Sequence, residues 1–183
     1  MNNYLLHNNI KKNLVNVNEA NNLNFDNLQI MGGKTGKGKT WYSVIKALFA
    51  MKDGKTVLFF TIENSKEEIL MRMKKVISNT EALSYITKKN FDNKRDKDKF
   101  IDEFIKKSNL IIDDNYLIDD NYIVNKMRKQ SQTKEGLNFV IIDGLNLIIN
   151  NNKEFNRIQE LLENVSQELK CEMLIMTQLN KNM

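Results

Sequence analysis

Apolar positions along the chain fall into two kinds of pattern. Short continuous runs occur at residues 28–31, 56–62, 110–112, 139–142 and 173–176. Runs of this length without polar alternation predict strands that are covered on both faces. The segments between them carry helical periods instead. Trp41, Ile45, Leu48 and Phe49 recur at helical spacing within 39–52, and Gly54 stands where a C-terminal cap belongs. Ser65-Lys66-Glu67-Glu68 is a capping-box sequence, opening a helix that runs to about residue 77. Phe100, Ile101, Phe104 and Ile105 mark one face of another helix, Asp120 is expected to cap a helix through Met127, and residues 155–169 form the last. Strands alternating with helices predict an α/β fold with a mostly parallel, doubly wound sheet flanked by helices. Residues 1–26 are Asn-rich and weakly patterned, and are expected to form an N-terminal arm before a core at 27–183.

Composition narrows the chemistry. A chain of 183 residues suffices for one domain with its own core. Its one cysteine, Cys171, and one histidine, His7, exclude disulfides, His-based zinc sites and Ser-His-Asp or Cys-His machinery within a single chain. The opening residues lack the apolar core of a signal peptide, and no stretch reaches membrane-helix length, so a cytoplasmic protein without membrane contact is expected. The net charge of +5 permits contact with nucleic acid without demanding it. Residues 94–107 are densely charged with mixed signs, as in a solvated helix face. Absence of Pro beside abundant Asn and Lys points to an AT-rich genome, which concerns ancestry and not activity.

The chemistry centres on Gly33-Lys34-Thr35-Gly36-Lys37-Gly38-Lys39-Thr40, which fits the phosphate-binding loop G-x-x-x-x-G-K-[ST] at every fixed position. Glycines let successive backbone N–H groups converge on phosphates, and the following helix adds its positive N-terminal end. Lys39 is then placed to reach the β- and γ-phosphates, and the Thr40 hydroxyl to ligate Mg²⁺. A strand before the loop and an amphipathic helix after it supply the required context. ATP and Mg²⁺ are the expected ligands.

Such a loop needs an acidic partner at the end of a buried strand. Asp113 and Asp143 both end apolar runs. Asp143 is favoured because its run is longer and is followed by Gly144, which permits a sharp turn beside a ligand. Glu63 ends the second strand, at the carboxyl edge where phosphates would sit, so it is a candidate to activate water. Gln178 ends the last strand and is a candidate to touch a γ-phosphate. A glutamate before a helix also suits the helix dipole, and a glutamine at a strand end also suits solvent, so spacing alone leaves both open.

Taken in order, GGKTGKGKT, VLFFTIENS, NLIIDDNYLIDDNYIVNKMRKQ, GLNFVIIDGLNLI and LKCEMLIMTQLNK resemble the RecA-like ATPase core of the DnaB-type replicative DNA helicases of bacteria and phages. The resemblance runs from about Gln29 to Met183. It implies a RecA-like P-loop NTPase fold and ATP hydrolysis coupled to DNA unwinding. Thr61-Ile62-Glu63-Asn64 matches the family element whose glutamate activates water. Ile142-Asp143-Gly144-Leu145-Asn146-Leu147 matches its second acidic motif, which selects Asp143 over Asp113. Thr177-Gln178-Leu179-Asn180 matches the element whose glutamine senses the γ-phosphate. The resemblance further implies a hexameric ring around single-stranded DNA, with ATP between neighbouring subunits and primase or a helicase loader as partners. Residues 150–157, with Lys153 and Arg157, would then face the DNA backbone.

Departures from the family pattern are specific. Gly144 replaces the usual aromatic, and about 26 residues stand in place of a large N-terminal domain. The sequence stops just after the glutamine motif, so the expectation is a core truncated there, with the C-terminal strands missing and no residue assignable as an arginine finger. Other readings are a RecA-type recombinase, an AAA+ helicase loader, and a nucleotide-binding module without turnover. A loader would carry Asp-Glu at the second acidic strand, against which Asp143-Gly144 argues. A small-molecule kinase would carry an Arg-rich lid, and none is visible.

Overall fold

The computed structural model describes residues 28–149 and 151–178. The expected arm at 1–26 lies outside the described residues. Five strands form one sheet: β1 (Leu28–Gly33), β2 (Val57–Thr61), β3 (Leu110–Asp113), β4 (Phe139–Asp143) and β5 (Glu172–Gln178). All pairings are parallel, in the order β1-β5-β4-β2-β3. Parallel neighbours require long crossovers, and helices provide them. They are α1 (Lys39–Lys52), α2 (Lys66–Ile77), α3 (Thr80–Ile86), α4 (Lys94–Lys107), α5 (Asp120–Ser131) and α6 (Asn152–Leu169). A 3-10 turn at Leu145–Ile148 follows β4.

Alternation along the three central strands sorts their side chains into two cores. Val57, Phe59, Phe139, Ile141, Leu174 and Met176 pack with α1 to α4, through residues such as Leu48, Met73 and Ile101. Leu58, Phe60, Val140, Ile142, Met173 and Ile175 pack with α5 and α6, through Ile123, Met127, Ile158 and Leu162. Both faces of the sheet are therefore covered, which is why these strands read as unbroken apolar runs.

Local rules explain most helix ends. Ser65 and Glu68 form the reciprocal capping box at α2. On α4 only Ile101 is buried, as its mixed charges suggested. Three elements differ from expectation. Asp119 caps α5 by accepting from the Tyr122 N–H at 2.6 Å, and Asp120 is the first helical residue. Asn151 caps α6, which begins three residues before Phe155. Helix α3, at seven residues, is too short to show a clear helical period, yet Ala82 and Leu83 are buried against the first core.

Strand register sets the functional edge. Gly33 lies opposite Gln178, Asp143 opposite Met176, and Thr61 opposite Asp143. The glycine-rich loop, the Glu63 turn, Asp143 and Gln178 thus emerge from the same carboxyl edge, where ligands bind in open α/β sheets.

Candidate active site

The phosphate loop departs from β1 at Gly33 and enters α1 at Lys39. Gly36 and Gly38 have φ of 74° and 86°, a left-handed conformation that side chains resist. Gly38 is the N-cap of α1, with no side-chain cap and no acidic residue in the first turn. The backbone donors and positive dipole end of α1 therefore face the loop, as an anion site requires. Lys34, Thr35, Gly36 and Lys37 are exposed. The Lys39 ammonium crosses the loop, donating to the carbonyls of Gly33 at 2.8 Å and Lys34 at 3.1 Å.

The two acidic strand ends have different surroundings. Asp113 is buried but matched: it accepts from Tyr122 Oη at 2.9 Å and the Asn115 N–H at 3.2 Å, and pairs with Lys126 at 3.0 Å. Burial works against its charge, yet Lys126 and the other donors hold its carboxyl below the ordinary value. Asp143 is 4% exposed, and its Oδ2 is buried with no hydrogen-bond partner among the described residues. Burial pushes its carboxyl up; the nearby Thr40 hydroxyl opposes that, Glu63 adds to it, and Lys39 and Arg72 oppose it. The Thr40 hydroxyl thus lies within hydrogen-bond reach of this carboxylate, and the charges of Glu63, Lys39 and Arg72 are near enough to act on it. A buried carboxylate oxygen without a partner, beside a threonine hydroxyl, is an oxygen donor set of the kind a hard divalent cation prefers. The residues present fit Mg²⁺.

Glu63 is exposed, two residues beyond Thr61. The turn carrying it is closed by Thr61, whose hydroxyl donates to the Asn64 carbonyl at 2.8 Å. It is joined to β4 by the Ile62 N–H, which donates to the Asp143 carbonyl at 3.1 Å. Gly144 supplies the backbone turn beside this contact. Its φ is 105°, and a Cβ there would lie 3.5 Å from Ile62 Cβ and 3.9 Å from the Glu63 nitrogen. Gln178 is half-buried, and its N–H donates to Asn146 Oδ1 at 2.9 Å.

The remaining candidates lie elsewhere. Lys153 and Arg157 are exposed near the start of α6, four residues apart and so on one helical face. Arg157 Nη2 pairs with Asp120 Oδ2 at 2.8 Å. Sequence reasoning missed Arg72, Asn64 and Asn146. Arg72 reads as one polar position of an amphipathic helix, and the two asparagines sit in motifs whose neighbours drew the attention. Among the described residues, no helix is long and apolar enough to cross a membrane.

Residues 13–183 match the family model of the DnaB-like helicase C terminal domain. The chain belongs to this family. The DnaB-like chain is 28% identical over 174 residues to the replicative DNA helicase DnaB of Buchnera aphidicola subsp. Baizongia pistaciae, covering 91% of itself and 38% of that protein. It is 26% identical over 167 residues to the DnaB of Haemophilus influenzae, covering 85% of itself and 35% of that protein. It thus spans little more than a third of these relatives. Among solved structures, one described as an ATPase domain superposes with a TM-score of 0.71 at 22% identity, over 85% of this chain and 58% of that one. A DnaB-like replicative helicase described with its interactions with primase superposes at 0.70 and 21% identity, over 85% and 40%. The RecA-like fold expected from the motif order is therefore the fold observed.

Proposed function

We propose that this chain is the ATP-hydrolysing core of a replicative DNA helicase acting on single-stranded DNA. One observation carries the reading: a glycine-rich loop, a buried carboxylate with an oxygen unpartnered among the described residues, and an exposed glutamate all lie at one edge of a parallel sheet. In this reading the loop from Gly33 to Thr40 wraps the phosphates with backbone N–H groups, and the Lys39 ammonium exchanges its carbonyl partners for phosphate oxygens. Thr40 and Asp143 would hold Mg²⁺, which supplies positive charge against the phosphate oxygens. Glu63 orients and deprotonates the attacking water. Gln178 contacts the γ-phosphate and feels its loss.

DNA contact is assigned to the exposed face bearing Lys153 and Arg157, whose charges would neutralise backbone phosphates. Copies of the chain are proposed to assemble as a ring, with ATP between neighbours and primase or a loader as partner. The names of the DnaB relatives and the primase named with one solved neighbour support this part.

The test is steady-state ATPase activity with and without single-stranded DNA, beside nucleotide titration of Lys39→Ala. Turnover stimulated by DNA, and loss of nucleotide affinity in the variant, are expected. Nucleotide binding with no turnover under either condition would leave a binding module in place of a motor.

A further inference from the structure

Arg72, on α2, is half-buried beside the site without belonging to any of its sequence motifs. Its Nη2 donates to Asn64 Oδ1 at 3.1 Å, and Asn64 is the residue after Glu63. Its guanidinium carbon lies 5.8 Å from the centroid of the Trp41 ring, and Trp41 is the residue after Thr40. Its Nε is buried with no hydrogen-bond partner among the described residues. None of the ion pairs among the described residues includes it.

A half-buried guanidinium kept for stability alone would be matched by a carboxylate, because leaving a buried donor unpaired is costly. Arg72 instead spends one arm on a neutral amide and lies near an aromatic ring. Those two neighbours flank the two halves of the candidate site. We propose that Arg72 is a positioning residue for hydrolysis, fixing the Glu63 turn relative to the start of the phosphate-loop helix by holding Asn64 and Trp41 together. This rests on the reading of Glu63 as the residue that activates water. A planar fork can bond Asn64 with one nitrogen while lying near the ring, whereas an ammonium offers no such plane. Charge alone should therefore not replace it.

The experiment compares the full chain with Arg72→Gln, Arg72→Lys, Asn64→Ala and the double variant Arg72→Gln/Asn64→Ala, using Glu63→Gln as reference. It reads kcat and KM for ATP, and hydrogen–deuterium exchange over residues 61–66. Arg72→Gln is expected to lower kcat by about ten- to hundredfold, since small misplacements of a catalytic group cost this much, with KM within about twofold. Arg72→Lys should not restore kcat, and Asn64→Ala should add nothing to the loss in Arg72→Gln. Exchange over 61–66 should quicken in Arg72→Gln while β2 and β4 keep their protection, a readout that needs no turnover. A raised KM with kcat intact, full rescue by lysine, or unchanged exchange would each overturn the proposal. If Glu63→Gln loses turnover while Arg72→Gln keeps it, the Arg72 assignment fails and Glu63 stands. If Glu63→Gln turns over normally, the reading of Glu63 fails instead, and the exchange result alone decides whether Arg72 holds the turn.

Discussion

The backbone N–H of Gln178 donates to the side-chain oxygen of Asn146 at 2.9 Å, latching the end of β5 to the 3-10 turn after β4. The turn begins right after Gly144, whose own N–H donates to the Met176 carbonyl at 3.2 Å. A displacement of Gln178 would thus be felt by the segment leading to α6. Asn146→Ala removes the latch and leaves the Gln178 N–H without that acceptor. The expected cost is about 1–2 kcal/mol, in the range of one lost hydrogen bond, measured by chemical denaturation. ATP turnover should fall in parallel, and stimulation by DNA should fall further than the basal rate. Equal loss in both rates would show that the latch serves stability only.

Glu63→Gln keeps the size and polarity of the side chain while removing its basicity. Because Glu63 is exposed and lies outside the phosphate loop, nucleotide affinity should stay within about twofold, while turnover drops by about 10²–10⁴, the usual contribution of a general base. Single-turnover hydrolysis beside equilibrium binding separates the two. Turnover at the wild-type rate would remove Glu63 from the reaction.

Asp113 provides a pH-dependent contribution to stability. Its carboxyl is held below the ordinary value of 3.8, so folding favours its charged form. That contribution is present above the unfolded value and disappears as pH falls through the lowered folded value. Lys126, held above 10.5, contributes in the complementary sense: its share is present below that value and is lost as pH rises through the folded one. Asp113→Asn should therefore cost about 2 kcal/mol at neutral pH, reduced from a fully buried pair because Lys126 is partly exposed. The difference from wild type should shrink in strong acid. Urea denaturation at pH 7 and at pH 3 checks this, and an equal difference at both would show that the pair contributes nothing through its charge.

Gly144→Ala tests the close approach of two strand ends. Its φ of 105° lies in a region L residues rarely adopt, so a side chain there strains the backbone even though its Cβ would meet Ile62 only at ordinary contact distance, 3.5 Å. A loss of about 1–3 kcal/mol is expected from backbone strain, read by thermal melting. Movement of the Glu63 turn should also lower turnover. A variant as stable and as active as wild type would mean that the turn after Asp143 tolerates the extra carbon.

Much of this architecture could be read from the chain itself because its signals are local. The apolar runs of β2, β4 and β5 reported strands buried on both faces, whereas the runs of the two edge strands β1 and β3 mark the strands but are only partly covered. Ser65 and Glu68 announced the start of α2 because a capping box is complete within four residues. The phosphate loop was legible for the same reason: its glycines, lysine and threonine act through backbone geometry over eight consecutive positions. Helix α3 was not, since burial of Ala82 and Leu83 depends on what packs over them.

The sequence by itself determined that this is an α/β chain with a phosphate loop on its first described strand, and its motif order pointed to the DnaB-like family. Only the tertiary structure showed which acidic strand end keeps an oxygen without a hydrogen-bond partner. Asp113 and Asp143 look alike in one dimension, but Tyr122 and Lys126 return from α5 to satisfy Asp113, while Asp143 keeps a buried oxygen unmatched among the described residues. The placement of β5 between β1 and β4, the pairing of Arg157 with Asp120 and the reach of Arg72 to Asn64 were likewise settled in three dimensions. Periodicity reports whether a position is buried. Which charges and amides meet depends on which elements the sheet brings side by side.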